Sequence, residues 1–213
     1  MSPRTSGVDG GSTSDRRTTR RQGRTRELNR EEILRVAADL FRVSGYHATN
    51  LQAVADVFGV QRPAIYYYFE SKAEILKEIH NRLMSDLRRQ LDETTALDIG
   101  PAEKLARVLE QQVRTYAQRT SDLAVFTQNE VELPKPVLRQ IRREKREYQD
   151  LLEGLYRDGV AAGELVDMDP KIAIYALIGM TSFMYRWYDP RGTYSAEEIA
   201  GMFLRVAQDG IRP

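Results

Sequence analysis

From Asn29 onward, apolar residues recur at three- and four-residue steps along almost the whole chain. That is the spacing of one buried helical face. Ile33, Ala37, Leu40 and Phe41 form the first stripe, and Ser44-Gly45-Tyr46 ends it. In Thr49-Asn50-Leu51-Gln52, Thr49 is placed to cap a second, short helix, with Gln52 reaching back from three residues later. That helix ends near Phe58-Gly59, where glycine suits the positive φ of a tight turn. A third helix starts around Arg62. Pro63 is tolerated there because first-turn N–H groups have no intrahelical partner. Ser71 caps the next helix, which carries Ile75, Ile79, Leu83, Leu87 and Leu91 at four-residue spacing.

Beyond Gly100-Pro101 the stripe is Leu105, Leu109, Val113 and Tyr116, and a shorter helix runs through Phe126. "LPKP" at 133–136 breaks the chain before a long amphipathic helix to about Ala162. Asp169-Pro170 opens an apolar helix over 170–188, "DPRG" at 189–192 turns the chain, and Ser195 caps a last helix with Ile199, Phe203, Val206 and Ile211. No strand alternation runs longer than a few residues. The pattern predicts an all-α fold of about nine helices. It divides into a segment at 1–26 with almost nothing apolar, expected to be disordered, a unit of three helices at 27–72, and a larger helical domain at 73–213.

Charge sharpens this division. The 213 residues carry a net charge of +1, but residues 1–72 sum to +4 and the remainder to −3. The N-terminal third is thus the better candidate for touching a polyanion. Six arginines lie between Arg16 and Arg26 with no acid among them. They read either as a solvated leader or as a basic arm following DNA phosphates or entering a minor groove. The chain has no cysteine, which excludes disulfides, thiolate metal sites and cysteine nucleophiles and fits a cytoplasmic protein. The first thirty residues lack the apolar core of a signal peptide. The apolar run at 172–185 is shorter than the roughly 18 residues of a membrane span. His47 and His80 have no metal-binding spacing and no glycine-rich phosphate loop occurs. Neither enzyme chemistry nor a cofactor is expected, and a helical enzyme or a scaffold without DNA remains the alternative.

The stretch "GVQRPAIYYYFESK" at 59–72 decides between these classes. Consecutive side chains on a helix fan out about 100° apart, so Tyr66, Tyr67 and Tyr68 cannot share one core. Ala53, Val54, Val57 and Val60 can pack inside with Ile65 and Phe69. Arg62, Pro63, Tyr66 and Tyr67 are then left outward, with Tyr68 at the rim. Arginine can bind guanine bidentately, apolar groups can meet a thymine methyl, and tyrosine hydroxyls can bond phosphates. Lys72, at a helix start, can neutralise another phosphate. A scaffold protein leaves this face without a role.

"REEILRVAADLFRVSGYHATNLQAVADVFGVQRPAIYYYFESKAEIL", about 47 residues, strongly resembles the DNA-binding domain of the TetR (tetracycline-repressor) family. The resemblance implies a homodimer that represses transcription from a palindromic operator and releases DNA on binding a small effector. It also assigns 27–72 to DNA binding and 73–213 to ligand binding and dimerisation. By position, Gln61, Arg62, Pro63 and Tyr66 match base-facing or base-edge sites, and Thr49, Tyr67 and Lys72 match phosphate contacts. Gln61 stands where a better capping residue is common.

The helix at 170–188 is apolar nearly all round and carries the small residues Ala173, Ala176, Gly179 and Ser182. Such a helix buries more than one face. With the 195–211 helix, two copies would form the four-helix dimer interface that the resemblance implies. "RWYDPRGTYSAEEIAGMFLRVAQDGI" is similar to the closing segment of an actinobacterial branch of the family that controls lipid or sterol catabolism and responds to acyl-CoA thioesters. The expected effector is small and largely apolar, and this likeness points to an acyl-CoA. Phe126, Tyr148, Tyr175, Met180 and Met184 are candidates for an adaptable apolar wall, and Asn129 and Glu130 for polar orientation. The basic run "RQIRREKREYQ" reads as a solvated helix face or as a site for an anionic headgroup.

Overall fold

A computed structural model describes residues 27–209; the arginine-rich arm and Ile211 lie outside the described residues. Among the described residues the chain forms nine α-helices and no strand. They are α1 (Arg30–Ser44), α2 (Leu51–Phe58), α3 (Arg62–Tyr66), α4 (Lys72–Thr95), α5 (Pro101–Gln118), α6 (Thr120–Gln128), α7 (Lys135–Ala161), α8 (Pro170–Ser182) and α9 (Ala196–Asp209). Most ends follow from local chemistry. The Ser71 and Ser195 hydroxyls accept from Glu74 N and Glu198 N, and Asp169 accepts from Lys171 N and Ile172 N. Each satisfies first-turn donors that the helix leaves open. Two expectations need correction. Asn50, not Thr49, caps α2, accepting from Ala53 N at 2.9 Å, and Gln52 bonds Asp56 instead of reaching back. The apolar helix expected over 170–188 stops at Ser182 and tightens into a 3₁₀ turn at Phe183–Arg186.

Two hydrophobic cores result. One gathers α1, α2 and α3 around Ile33, Phe41, Val54, Ile65 and Phe69, with Ile75 and Ile79 from α4. Val125, Leu133 and Ile141 seal it from the other side. The second takes Leu83, Leu87 and Leu91 from α4 and packs them with Val113, Tyr116, Leu152, Ile174 and Ile199. At 1.5 Å per residue, α4 spans about 36 Å and enters both.

Between the cores lies a charge cluster. Asp122 at the start of α6 receives Arg82 of α4 at 2.5 and 2.6 Å, and Arg82 also reaches Glu31 of α1 at 2.7 Å. Arg119, between α5 and α6, bonds Asp86 at 2.8 Å and approaches Glu31 at 3.4 Å. Ser121 donates to Asp39 and accepts from Arg42, both on α1. Burial pushes the Asp122 carboxyl above its ordinary range while Arg82 pulls it down. The two-pronged contact is that of a carboxylate gripped by a guanidinium.

Removing one partner of a buried pair leaves the other charge uncompensated. Asp122→Ala should lower folding stability by about 3–5 kcal/mol in chemical denaturation. Asp92→Ala, which breaks the exposed Arg88–Asp92 pair, should change it by no more than about 0.5 kcal/mol.

Candidate nucleic-acid interface and effector groove

The three tyrosines separate as helix geometry requires. Ile65 and Phe69 are fully buried and fasten α3 to the head. Tyr66 is 40% and Tyr67 83% exposed, whereas Tyr68 is half-buried and donates its hydroxyl to Leu28 O at 3.2 Å. Gln61, Arg62 and Pro63 are exposed with them. Gln61 stands at the N-cap with no side-chain capping bond, so its amide is left to solvent. Arg62 Nη2 donates to the Tyr66 hydroxyl at 2.6 Å, its guanidinium 5.1 Å from the ring centroid. Gly59, at φ 68°, makes the turn between α2 and α3 in a conformation that favours glycine. Val57 does not pack inside as its spacing suggested: it is 40% exposed, because Val54, Ala55 and Phe58 already fill the buried face of α2.

Thr49 and Lys72, expected at phosphates, make contacts within the head. Thr49 is 3% exposed, and its hydroxyl donates inward to Gly45 O at 2.8 Å. Lys72 Nζ donates to Tyr46 O at 2.6 Å and Thr49 O at 3.0 Å, with His47 O at 3.5 Å, and sits 4.2 Å from the Tyr46 ring centroid. An ammonium has three donors, and here they face the turn between α1 and α2. Lys72 thereby pins the start of α4 to the approach into α2.

Among the described residues, three surface cavities stand out. One of about 550 Å³ lies over the charge cluster and is lined by arginines and acids that largely satisfy one another. A second, of about 480 Å³, runs between α5, α8, α9 and the 162–169 loop; Leu105, Leu109, Tyr156, Leu165, Leu177 and Met180 give it an apolar lining. This is the ordinary character of a small-molecule site. A third, of about 310 Å³, is a cleft between α4 and α7.

The seven candidate effector residues scatter. Met180 lines the apolar groove and Tyr148 the α4–α7 cleft. Tyr175 is exposed on α8 beside Lys171, and Met184 is fully buried in the second core. Asn129 ends α6, its N–H bonded to Val125 O, and Glu130 pairs with Lys145. Phe126 stacks on His80 at 4.5 Å with Lys145 Nζ 4.0 Å from its centroid. The spacing brings Leu105 and Leu109 onto one face but gives no sign of which partners α8, α9 and the loop supply.

The outer faces of α8, the 3₁₀ turn and α9 expose Ile172, Tyr175, Phe183, Trp187 and Val206. A Cβ at Gly179 would meet nothing within 4 Å. Exposed apolar surface of this kind marks an interaction site.

A head that presents polar and aromatic side chains from a short second helix, joined by one continuous helix to an apolar-lined domain, defines a helix-turn-helix transcriptional regulator. Residues 33–79 match the family model described as "Bacterial regulatory proteins, tetR family", and residues 98–211 match "Tetracyclin repressor-like, C-terminal domain". The chain belongs to the TetR family. It is 36% identical to a TetR/AcrR-family regulator from Thermobifida fusca of known structure, covering 86% of this chain and 98% of that one with a TM-score of 0.68. It is 25% identical to the transcriptional repressor KstR2 of Mycolicibacterium smegmatis over 85% of this chain and 90% of the relative. It is 27% identical to the fatty acid metabolism regulator protein of Bacillus subtilis over 84% and 94%. No helix among the described residues is long and apolar enough to cross a membrane.

His80 supplies a test of packing at the seam between the cores. It is buried, neither ring nitrogen has a hydrogen-bond partner, and burial, aided by Lys145, lowers its pKa to about 3. Replacing unsatisfied polar atoms by apolar ones of similar shape stabilises or is neutral. His80→Phe should therefore keep the stack on Phe126 and raise Tm. Because the folded pKa lies below the unfolded 6.5, the unfolded chain binds the extra proton. The wild type should lose stability as pH falls from 6.5 towards 3, and His80→Phe should lose less over that window.

Proposed function

We propose that this regulator represses transcription as a homodimer that binds a palindromic operator and releases it when a largely apolar small molecule occupies the α5–α8 groove. The observation that carries this reading is the exposed α3 face, built from residue types that read bases and phosphates, on a head tied rigidly to α4. Gln61, Arg62, Pro63 and Tyr66 are assigned to base edges and Tyr67 to phosphate. Lys72 and Thr49 are assigned to holding the start of α2 in place. The arm at 1–26 is treated as separate from the head at 27–72, and 73–213 as the sensing and pairing domain. The reading is of a cytoplasmic DNA-binding protein without catalytic activity.

An acyl-CoA thioester is the favoured effector class. The closing segment's likeness to the lipid and sterol branch, the relative named for fatty acid metabolism, and the apolar groove all support it. Release requires the effector to prefer the DNA-free arrangement, since only differential affinity shifts an equilibrium. Movement of α4 at the seam would change the separation of the two reading heads.

Selection from random DNA should return palindromes with half-sites about one helical turn apart or a multiple of it. Arg62→Ala should cost about 1–3 kcal/mol and relax preference at one base position per half-site. Uniform weakening across sequences would remove Arg62 from base reading. Lys72→Ala should lower folding stability together with operator affinity; unchanged stability would return it to a phosphate contact. Gly179→Phe has room within one subunit, so sedimentation should show a weakened dimer. An intact dimer would move the interface away from this face of α8.

A further inference from the structure

The basic run at the start of α7 is poorly matched within the chain. Lys135, Arg139, Arg142, Arg143 and Arg146 are all exposed. At about 100° per residue they fall in one sector about 100° wide and about 16 Å long, opposite the buried Ile141. The two acids of the same stretch, Glu144 and Glu147, lie outside that sector and line the cleft against α4. Elsewhere in the sensing domain exposed arginines are matched by an acid one turn away: Arg88 by Asp92, Arg89 by Glu93, Arg107 by Glu103 and Arg157 by Glu153. Along the α7 stripe the one-turn neighbours are like charges, Lys135 with Arg139, Arg139 with Arg143 and Arg142 with Arg146. Lys135, Arg139 and Arg146 have no ion pair among the described residues, while Arg142 approaches Glu130 at 3.9 Å and Arg143 approaches Glu147 at 3.7 Å.

This arrangement works against the helix. Like charges one turn apart destabilise it. The first turn of α7 carries no acid, so the bases crowd the end where the macrodipole is already positive. Local rules broken together in this way are expected at functional positions.

The surroundings of the stripe select its partner. Leu133 and Ile141, at the foot of α7, belong to the core of the head. Glu132, three residues before Lys135, meets His47 Nε2 of the α1–α2 turn at 3.0 Å. Three residues span at most about 11 Å, so the stripe starts beside the turn that leads into α2 and continues the surface of the head. Its exposed positions hold no aromatic or long aliphatic residue, so it lacks the apolar side of a membrane-surface helix. The apolar groove meets α7 at Tyr156, about 15 Å along the helix from Arg146, so the stripe does not border it.

We propose that the α7 stripe binds backbone phosphates of the operator duplex outside the half-site read by α3. Phosphate contacts carry no base information, so the stripe adds affinity whatever the flanking sequence. Because this end of α7 is packed into the head, the stripe travels with the reading helix. The proposal rests on the operator-binding reading and adds a second contact surface to it.

The test uses the full-length protein and two duplexes carrying the palindrome recovered by selection. One ends at the half-sites, and the other is extended at each end by about ten base pairs, one helical turn, of unrelated sequence. Anisotropy titrations across a salt series should give a slope of log Kd against log salt that is steeper by about 2 on the extended duplex, one phosphate per subunit at about 0.9 each. The triple variant Lys135→Gln, Arg139→Gln and Arg146→Gln should lose that extra slope and keep its affinity for the short duplex. Its Tm should be no lower than that of the wild type, since the substitutions remove like-charge neighbours and no ion pair. The triple variant Arg88→Gln, Arg89→Gln and Arg107→Gln removes the same charge from paired positions and should keep the extra slope. Equal slopes on the two duplexes, or an extra slope that survives the α7 substitutions, overturns the stripe as a DNA surface and leaves operator binding standing. An equal loss in both triple variants also overturns it, assigning the effect to net charge. Loss of octanoyl-CoA binding in the α7 variant, with equal duplex slopes, overturns it in favour of an effector headgroup. Binding of neither duplex overturns both readings.

Discussion

Within one turn of α4, between Ile79 and Leu83, the chain leaves one hydrophobic core and enters the other. The helix does not break there, so neither core can shift along α4 without dragging backbone hydrogen bonds and buried leucines with it. The head packs on the first two turns of α4 and the sensing domain on the rest. Lys72 fixes the far end by gripping the carbonyls before α2. A tilt imposed on α4 is therefore delivered to α2 and α3 as a rigid displacement.

The seam itself is polar where both sides are apolar. Arg82, Asp122, Glu31 and Arg119 meet there, and His80 lies buried beside them in sequence without a hydrogen bond. Buried ion pairs contribute little net stability against a hydrophobic alternative, because desolvation offsets their attraction. They do demand particular geometry. The seam thus holds one docking angle between head and sensing domain while adding little cohesion, a suitable property for a plane about which two arrangements must remain close in free energy.

What was legible in the sequence follows from range. Stripes such as Ile75 to Leu91, the caps Ser71, Ser195 and Asp169, and the outward set Arg62, Pro63 and Tyr66 depend on neighbours within a few residues, and the structure has them as read. Thr49 and Asn50 are both good capping types one residue apart, so sequence could not choose between them. Val57 has the type of a core residue but the wrong angle once Val54 and Phe58 are fixed. The contacts Lys72 makes within the head could not be read because its partners lie more than twenty residues earlier in the chain. The effector residues scattered for the same reason: membership of a groove depends on the register between helices, and no single-helix pattern encodes that.

The five residues of α3 hold one last implication. Ile65 is the one wholly buried side chain of that helix, while Arg62, Pro63 and Tyr66 face solvent, with Gln61 just before and Tyr67 just after. Anchoring and the proposed reading of bases therefore fall to different side chains. Duplicated copies of such a gene can drift to new operators through substitutions at those exposed positions with almost no penalty to folding. Escape from a parental binding site is open to a lineage long before its sensing domain has learned a different metabolite.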